Sequence, residues 1–422
     1  MLFRSALLRL KQPAKVWPLL KRSDKPDDPR VRSYLIHRLG PLGADAAVLV
    51  KRLEEEPDVT IRRALILSLG PEEFGQGAWT PEGKRRVVKR LQEMYRTAGD
   101  PGLHGAAEWL LRQWKQEAWL KQVNEEWAKD KEQREQRLDG IRERLRKDQE
   151  KTPPQWYVNG QGQTMVVIPG PVEFLMGSPP AEEGRWPNES QHKRQIGRTF
   201  ALAATSVTKE QLLRFLPKFG HKQMRRYPEP TCPIGGVVWH EAAAYCNWLS
   251  KQEGIPEEQW CYQMNPQGQV VKLKENYLSL TGYRLPTEAE MEYATRAGAV
   301  TSRYYGETEE LLTRYGWYQK NSGERTWPVG GKKPNDLGLF DLHGNVYSWC
   351  QESYKEYPTP KDREGIDDIE DDLSINPAVS RVLRGGSFYD LASLVRSADR
   401  YRYVPAGGDL NVGFRPARTF IP

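Results

Sequence analysis

Thiols, imidazoles and exposed aromatic or acidic side chains are the groups in this chain that could do chemistry, and their spacing decides which chemistry stays open. Four cysteines, Cys232, Cys246, Cys261 and Cys350, stand at unrelated intervals with no Cys-x-x-Cys pair. Neither a zinc ribbon nor a disulfide framework is expected from that spacing, and all four read as buried thiols packed as small hydrophobes. The six histidines (His37, His104, His192, His221, His240 and His343) are scattered, and each reads as structural.

One segment is different in texture. Between Arg384 and Arg418 there is no Lys, Glu, Gln, Met or Trp. A frame of Arg384, Gly385, Gly386, Ser387, Val395, Arg396, Ser397, Ala398, Arg400, Arg402, Pro405 and Val412-Gly-Phe-Arg415 runs through it. Between the frame positions fall Phe388, Tyr389, Asp390, Leu391, Ser393, Leu394, Asp399, Tyr401, Tyr403, Val404, Gly407, Gly408, Asp409, Leu410 and Asn411. Tyr, Ser, Gly, Asp and Asn are the residues of adaptable binding surfaces: Tyr supplies rigid amphipathic area and the small polar residues supply hydrogen bonds.

Three textures along the chain would position this segment. Residues 1–114 are helical in pattern with a weak repeat. Asp28-Pro-Arg-Val-Arg-Ser-Tyr-Leu-Ile-His-Arg-Leu-Gly40 echoes Asp58-Val-Thr-Ile-Arg-Arg-Ala-Leu-Ile-Leu-Ser-Leu-Gly70, and Asp100-Pro-Gly-Leu-His-Gly-Ala-Ala-Glu-Trp-Leu-Leu-Arg112 is a more distant copy. Each opens on an acidic or Pro-containing helix start and continues with apolar residues at helical spacing. HEAT-like helical pairs have this pattern, serving either as a short solenoid for protein contacts or as a small helical domain. Residues 115–155 form a charged helical linker, with Trp119, Leu120, Val123, Trp127 and Ile141 along one flank, ended by Thr152-Pro-Pro-Gln155 because proline cannot continue a helix. Residues 156–422 turn to short strand-like runs, turns and dense aromatics. Met165–Gly170 and Val172–Gly177 read as a hairpin. Helices are expected over Thr208–Pro217, over Val238–Gln252 and after Thr287, with Glu290 at the capping-box position.

Composition bounds the class. The chain has 422 residues and a net charge of +7, from 63 Lys+Arg against 56 Asp+Glu. That excess is mild and forms no basic tail, so nucleic acid is not an expected partner. No apolar run approaches the roughly 18 residues of a membrane span. The opening Met1-Leu-Phe-Arg-Ser-Ala-Leu-Leu-Arg-Leu10, interrupted by Arg4 and Arg9, lacks a signal-peptide core. A cytoplasmic protein is expected.

Across residues 160–420 a succession of motifs carries a resemblance. It runs Pro169-Gly-Pro-Val-Glu-Phe-Leu-Met-Gly-Ser178, Ser206-Val-Thr-Lys-Glu-Gln211, Ala242-Ala-Ala-Tyr-Cys-Asn-Trp-Leu-Ser250, Tyr283-Arg-Leu-Pro-Thr-Glu-Ala-Glu-Met-Glu-Tyr293, Pro334-Asn-Asp-Leu-Gly-Leu-Phe-Asp-Leu-His-Gly-Asn-Val-Tyr-Ser-Trp-Cys350, Arg381-Val-Leu-Arg-Gly-Gly-Ser387 and Val412-Gly-Phe-Arg-Pro-Ala-Arg418. In this order the chain resembles the formylglycine-generating enzyme (sulfatase-modifying factor) family. The resemblance implies an α+β, C-type-lectin-like fold of a small twisted sheet, two main helices and much ordered loop, here preceded by the all-α region.

The family's chemistry, copper-dependent oxidation of a substrate cysteine, uses two cysteines just after the Gly-Gly-Ser. Soft thiolates are what hold Cu(I), but the aligned positions are Asp390 and Val395. The related sulfoxide-forming branch uses an iron site of His and Glu, and the six histidines form no such cluster. A calcium site of some members uses a Gly-Asn-x-Trp-Glu-Trp region. Gly344, Asn345 and Trp349 are retained with Ser348 in place of the Glu, so a core-supporting turn is expected instead. No cofactor and no metal are expected.

With catalysis set aside, the segment after Arg384 is similar to the variable region of a diversity-generating retroelement target protein. The expected function is a non-catalytic module that binds a protein or peptide ligand. Its site would be Phe388, Tyr389, Asp390, Leu391, Ser393, Leu394, Asp399, Tyr401, Tyr403, Val404, Asp409 and Leu410, with Tyr389, Asp390, Leu394, Asp399, Tyr401, Tyr403 and Asp409 as the principal contacts. Two alternatives stay open. One is an oxidoreductase of the sulfatase-modifying type acting near Asp390, Arg396 and Arg400 with Cys350 or Cys246 as a thiol. The other is an adaptor working through residues 1–150. Every changeable position is reachable by altering the adenines of an Asn AAC codon, so sequencing the gene is expected to show C or T at each third codon position; other bases there would end the retroelement reading.

Overall fold

A computed structural model describes residues 15–23, 26–220, 224–357 and 365–422. Arg4, Arg9 and His221 lie outside the described residues. The three Asp-initiated segments form the helices Arg30–Arg38, Val59–Ser68 and Pro101–Gln113. Asp58 caps its helix by accepting from the Thr60 and Ile61 N–H groups, and Asp100 accepts from Leu103, which satisfies amides with no intrahelical partner. Asp28 is displaced by one residue: Pro29 holds the cap position, and Asp28 accepts instead from the Arg30 amide at 3.0 Å. Val59–Ser68 lies between the other two helices, and Ala46–Glu55 and Pro81–Thr97 flank the stack.

The charged stretch is not a free spacer. It forms two helices, Glu117–Lys129 and Lys131–Lys147, parted at Asp130, whose carboxylate caps the second through Gln133 N–H at 2.9 Å. Leu120, Val123, Leu138, Ile141 and Leu145 are buried. Trp156 carries the Arg137 guanidinium 3.5 Å from its ring centroid and the His104 ring at 3.6 Å, and its Nε1 donates to the Ala98 carbonyl at 2.8 Å. An aromatic flank left in water would forfeit this burial, so the segment packs down and glues the helices to the first strand.

The strands, numbered in chain order, are β1 Gln155–Val158, β2 Thr164–Ile168, β3 Val172–Met176, β4 His192–Ile196, β5 Phe200–Ala203, β6 Tyr262–Met264, β7 Val270–Leu273, β8 Tyr283–Arg284, β9 Tyr347–Ser353, β10 Ile366–Asp367, β11 Arg381–Arg384, β12 Arg400–Tyr403, β13 Val412–Gly413 and β14 Ala417–Thr419. One sheet has the order β1-β2-β5-β14-β8, so the C-terminal strand is inserted inside the sheet that β1 begins. A second has the order β12-β11-β9-β13; β10-β4-β3 and β6-β7 complete the set.

The expected hairpin is not formed. β2 pairs with β1 and β5, and β3 pairs with β4. The reason is burial: Met165 to Ile168 are all buried and need strands on both edges, whereas β3 alternates and keeps one wet face. The expected helices are present as Lys209–Phe215, Trp239–Gln252 and Glu288–Arg296, the first and last with full capping boxes at Thr208/Gln211 and Thr287/Glu290.

The helical layer and the strand-rich part share an apolar core, in which Leu35, Leu65 and Leu110 are continuous with Tyr304, Tyr315, Phe340 and Leu342. Ionic contacts fix the junction. Asp336 meets Arg22 at 2.8 Å, Arg32 at 3.0 Å and Arg63 at 3.5 Å. Burial works to raise the Asp336 carboxyl, but Arg32, Arg22 and Arg63 hold it well below the usual carboxylate range. Beside it, Lys333 reaches Glu73 at 2.7 Å and His37 bridges Glu73 and Tyr315, each at 3.0 Å. Backbones touch here: a Cβ on Gly105 would lie 2.7 Å from the Gly338 Cα. Removing one member of a buried ionic cluster leaves the others unpaired, which costs about 3–5 kcal/mol. Asp336→Ala is therefore expected to lower the urea midpoint and to open the helical layer to trypsin; an unchanged midpoint would show that apolar packing alone attaches it.

Candidate functional site

The site grows from the end of β11. That strand pairs antiparallel with both β9 and β12. Gly385 and Gly386 then turn the chain at φ +99° and +71°, with Gly386 pressed against Leu394 and Val395 so closely that a Cβ would lie about 3.0 Å from Val395 Cγ2. Only glycine takes that turn without strain. The loop that follows has little regular structure, and arginines replace a ladder. Arg384 donates to the Ser397, Ala398 and Asp399 carbonyls at 2.8–2.9 Å and pairs with Glu292. Arg396 binds Glu189 at 2.7 Å, Glu182 at 2.6 Å and the Gly184 carbonyl at 2.8 Å, which ties in a second loop. Arg400 makes a forked pair with Glu288 at 2.6 and 2.9 Å and also holds the Asn188 carbonyl. Such planar bidentate contacts are the strong ones.

Between these pinned loops opens a cleft of about 630 Å³. Of the residues named as site candidates, Asp390, Leu394, Asp399, Tyr401, Tyr403 and Asp409 line it. Tyr389, Leu391, Ser393, Val404 and Leu410 lie outside the cleft lining and are exposed or half-buried. Phe388 is corrected: it is fully buried, its ring 4.4 Å from that of Tyr389, and it supports the site from beneath. The sequence reading missed Trp186, Asn188, Tyr347, Tyr354 and Glu356, which also line the cleft. Only Tyr347 had a signal, sitting inside the Gly-Asn-Val-Tyr-Ser-Trp motif. Trp186 and Tyr354 come from loops far away in sequence. A wider groove, about 970 Å³, separates Glu117–Lys129 from Trp317 and Trp327, but its lining mixes both charges without a focus.

The floor of the cleft is acidic. Burial pushes the Asp399 carboxyl up to about 8, although Arg396 and Arg384 work to lower it; Glu189 and Asp390 add to the rise. Burial also raises Asp390, against hydrogen bonds from Ser387 and from the Tyr347 side chain. Tyr347 stacks on Tyr401 with ring centroids 5.6 Å apart, and Tyr401 remains 52 % exposed.

The copper chemistry does not fit. Val395 is fully buried, Asp390 is bound by Ser387, and neither is a thiol. Cys246 and Cys350, the thiols considered for an oxidoreductase, are fully buried and raised by that burial, and Cys261 is pushed up to about 12. They are poor thiolates, and none of them lines the cleft. Arg396 and Arg400 are committed to carboxylates. Among the described residues no group of three or more His, Cys, Asp or Glu side chains is arranged to hold a metal ion. Asn345 has φ +66° and spends its amide on the Trp327 backbone in both directions, at 3.1 and 3.0 Å, while Ser348 is buried in β9. Asn345 thus braces the turn against the Trp327 backbone.

The model of the sulfatase-modifying factor enzyme 1-like domain matches residues 149–420. The chain belongs to this family. Relatives include "Serine/threonine-protein kinase pkn1" of Chlamydia pneumoniae, 30% identical over 279 residues that cover 60% of this chain and 38% of that protein. The "Formylglycine-generating enzyme" of Mycobacterium tuberculosis is 26% identical over 264 residues, covering 53% of this chain and 86% of that one. The chain thus spans little more than a third of its pkn1 relatives. Among solved structures, "Treponema denticola variable protein 1" is 26% identical with a TM-score of 0.49, covering 61% of this chain and 95% of that chain. Family membership fixes the scaffold, and Asp390 and Val395 stand in this chain where the resemblance puts the family's copper-binding cysteines.

The raised Asp399 carboxyl gives a pH signature. A folded-state value near 8 against an ordinary 3.8 means that the folded chain favours the protonated acid. The stability it contributes is complete below about pH 4 and is lost as pH rises toward 8. Relative to wild type, Asp399→Asn is expected to gain thermal stability progressively across that window. Parallel melting curves at pH 5 and pH 8 would show that the acid is paired or solvated instead.

Proposed function

We propose that this chain is a non-catalytic binding module whose 388–411 segment presents a changeable recognition surface to a protein or peptide. One observation carries the reading: burial divides the segment along the same line as the sequence pattern. Gly385, Gly386, Ser387, Val395, Arg396, Ser397, Ala398, Arg400, Pro405 and Val412-Gly-Phe-Arg415 are buried, whereas Tyr389, Asp390, Leu391, Ser393, Leu394, Tyr401, Tyr403, Val404, Asp409, Leu410 and Asn411 are exposed or half-buried. Phe388 and Asp399 are buried among the changeable set, and Arg402 is exposed among the frame. A frame held from below can carry different side chains without loss of fold. Exposed tyrosines beside small polar residues supply the anchors and hydrogen bonds of a paratope.

We read the helical layer as a HEAT-like array that supports this face, with residues 1–114, 115–155 and 156–422 as its working divisions. No helix among the described residues is long and apolar enough to cross a membrane. The four free buried thiols suit a reducing compartment, and we place the protein in the cytoplasm on that ground.

Affinity capture from lysate with wild type and with Tyr401→Ala/Tyr403→Ala tests the reading. Both side chains reach the surface, so the double variant should melt within a few degrees of wild type and lose its partner. A partner retained by both proteins would move the binding function to the helical layer. By contrast, Arg384→Ala and Arg396→Ala should destabilise by several kcal/mol, since each orphans buried carboxylates; a calorimetric melt unchanged by either would remove the frame-and-face division.

A further inference from the structure

Charge does not balance beneath the cleft. Arg396 is shared by Glu182 at 2.6 Å, Glu189 at 2.7 Å and Asp399 at 3.7 Å. Asp390 stands close enough to raise Asp399. The neighbouring guanidiniums are engaged elsewhere, Arg384 by Glu292 and Arg400 by Glu288. Three carboxyl groups therefore share Arg396, with Asp390 beside them. Asp399 is the most weakly held of the three: its contact to Arg396 is 3.7 Å, its side chain is 3% exposed and it lines the cleft. A buried acid paired only at 3.7 Å is costly to ionise, and a closer cation would offset that cost. Above it stand aromatic walls, the Tyr347–Tyr401 stack on one side and Trp186, 53 % exposed, with Tyr354 on the other. A carboxylate floor under aromatic faces is the arrangement that holds a guanidinium or an ammonium group.

We propose that the cleft accepts an Arg or Lys side chain of a protein or peptide, its head against Asp399 and Asp390 and its stem along Tyr347 and Tyr401. This rests on the binding reading above and names the ligand chemistry of the same site. Arg402 also lines the cleft, but it is exposed over the Tyr354 ring, where solvent and salt screen it. The volume of about 630 Å³ exceeds one side chain, so flanking residues of the ligand would occupy the rest against Trp186 and Tyr403.

The groups that face Asp399 are Arg396, Glu189, Arg384, Asp390 and Tyr347. A bound cation would favour its ionised form and expel a proton, so binding should strengthen as pH rises, by about tenfold per pH unit below the point where Asp399 ionises.

A random peptide library panned on the full chain tests this, followed by titration calorimetry of the best peptide against wild type, Asp399→Asn and Tyr401→Ala. Arg or Lys should be enriched in the recovered peptides, and replacing that residue by uncharged citrulline or norleucine should cost at least tenfold. Asp399→Asn should lose at least tenfold and flatten the pH dependence. Asn mimics the protonated acid, so this variant should fold, and Asp390→Asn serves as the second probe. Peptides without basic residues that still need Tyr401 would overturn the cation while leaving the binding face in place. Peptides indifferent to Tyr401→Ala and to Asp399→Asn would overturn both.

Discussion

Buried guanidinium groups hold this fold together where hydrogen-bonded ladders cannot. A scaffold built largely of loops has many backbone carbonyls without a strand or helix to answer them, and each needs a donor once it leaves water. Arg384, Arg396 and Arg400 supply those donors around the cleft, and Arg415 does the same deeper in, donating to the Ala203 carbonyl at 3.1 Å and the Phe340 carbonyl at 2.9 Å. Each is almost fully buried. A planar fork with five donors can bind several carbonyls and a carboxylate together, which a lysine cannot.

The outward face of the 388–411 segment follows from that constraint. Because the arginines take hold of backbone and of distant carboxylates, the side chains between them carry little of the fold and are free to point outward. The acidity of the floor is a by-product of the same economy: one guanidinium serves more carboxylates than it can neutralise, and the surplus falls where the cleft opens.

The helical layer is fastened by the same chemistry turned around. There a single carboxylate, Asp336, is answered by three arginines from two helices and the segment preceding them, and glycine contacts bring the backbones together. A ring stack through Tyr95, His104, Trp127 and Trp156 closes the far side. The result is a core that runs from the helical layer into the strand-rich part rather than beads on a linker.

Much of this was legible in the residues. The helix starts at Asp58, Asp100, Thr208 and Thr287 were written in capping chemistry, which is local, and the frame at 384–415 was visible as a compositional pattern. The order of family motifs determined the scaffold, and Asp390 and Val395 stand where the family's copper-binding thiols are expected. Strand pairing was not legible, because β2 and β3 each found partners by burial that a short alternating run does not specify. Nor were Trp186, Asn188 and Tyr354, since sequence has no record of which distant loops meet over a cleft. The linker looked like a solvated spacer because its charges outnumber its apolar residues, and only packing showed that Trp127, Ile141 and Arg137 cover one face of the fold. The charge surplus at Asp399 was likewise decided by tertiary structure alone: it depends on Arg396 being claimed first by two glutamates that lie more than two hundred residues away along the chain.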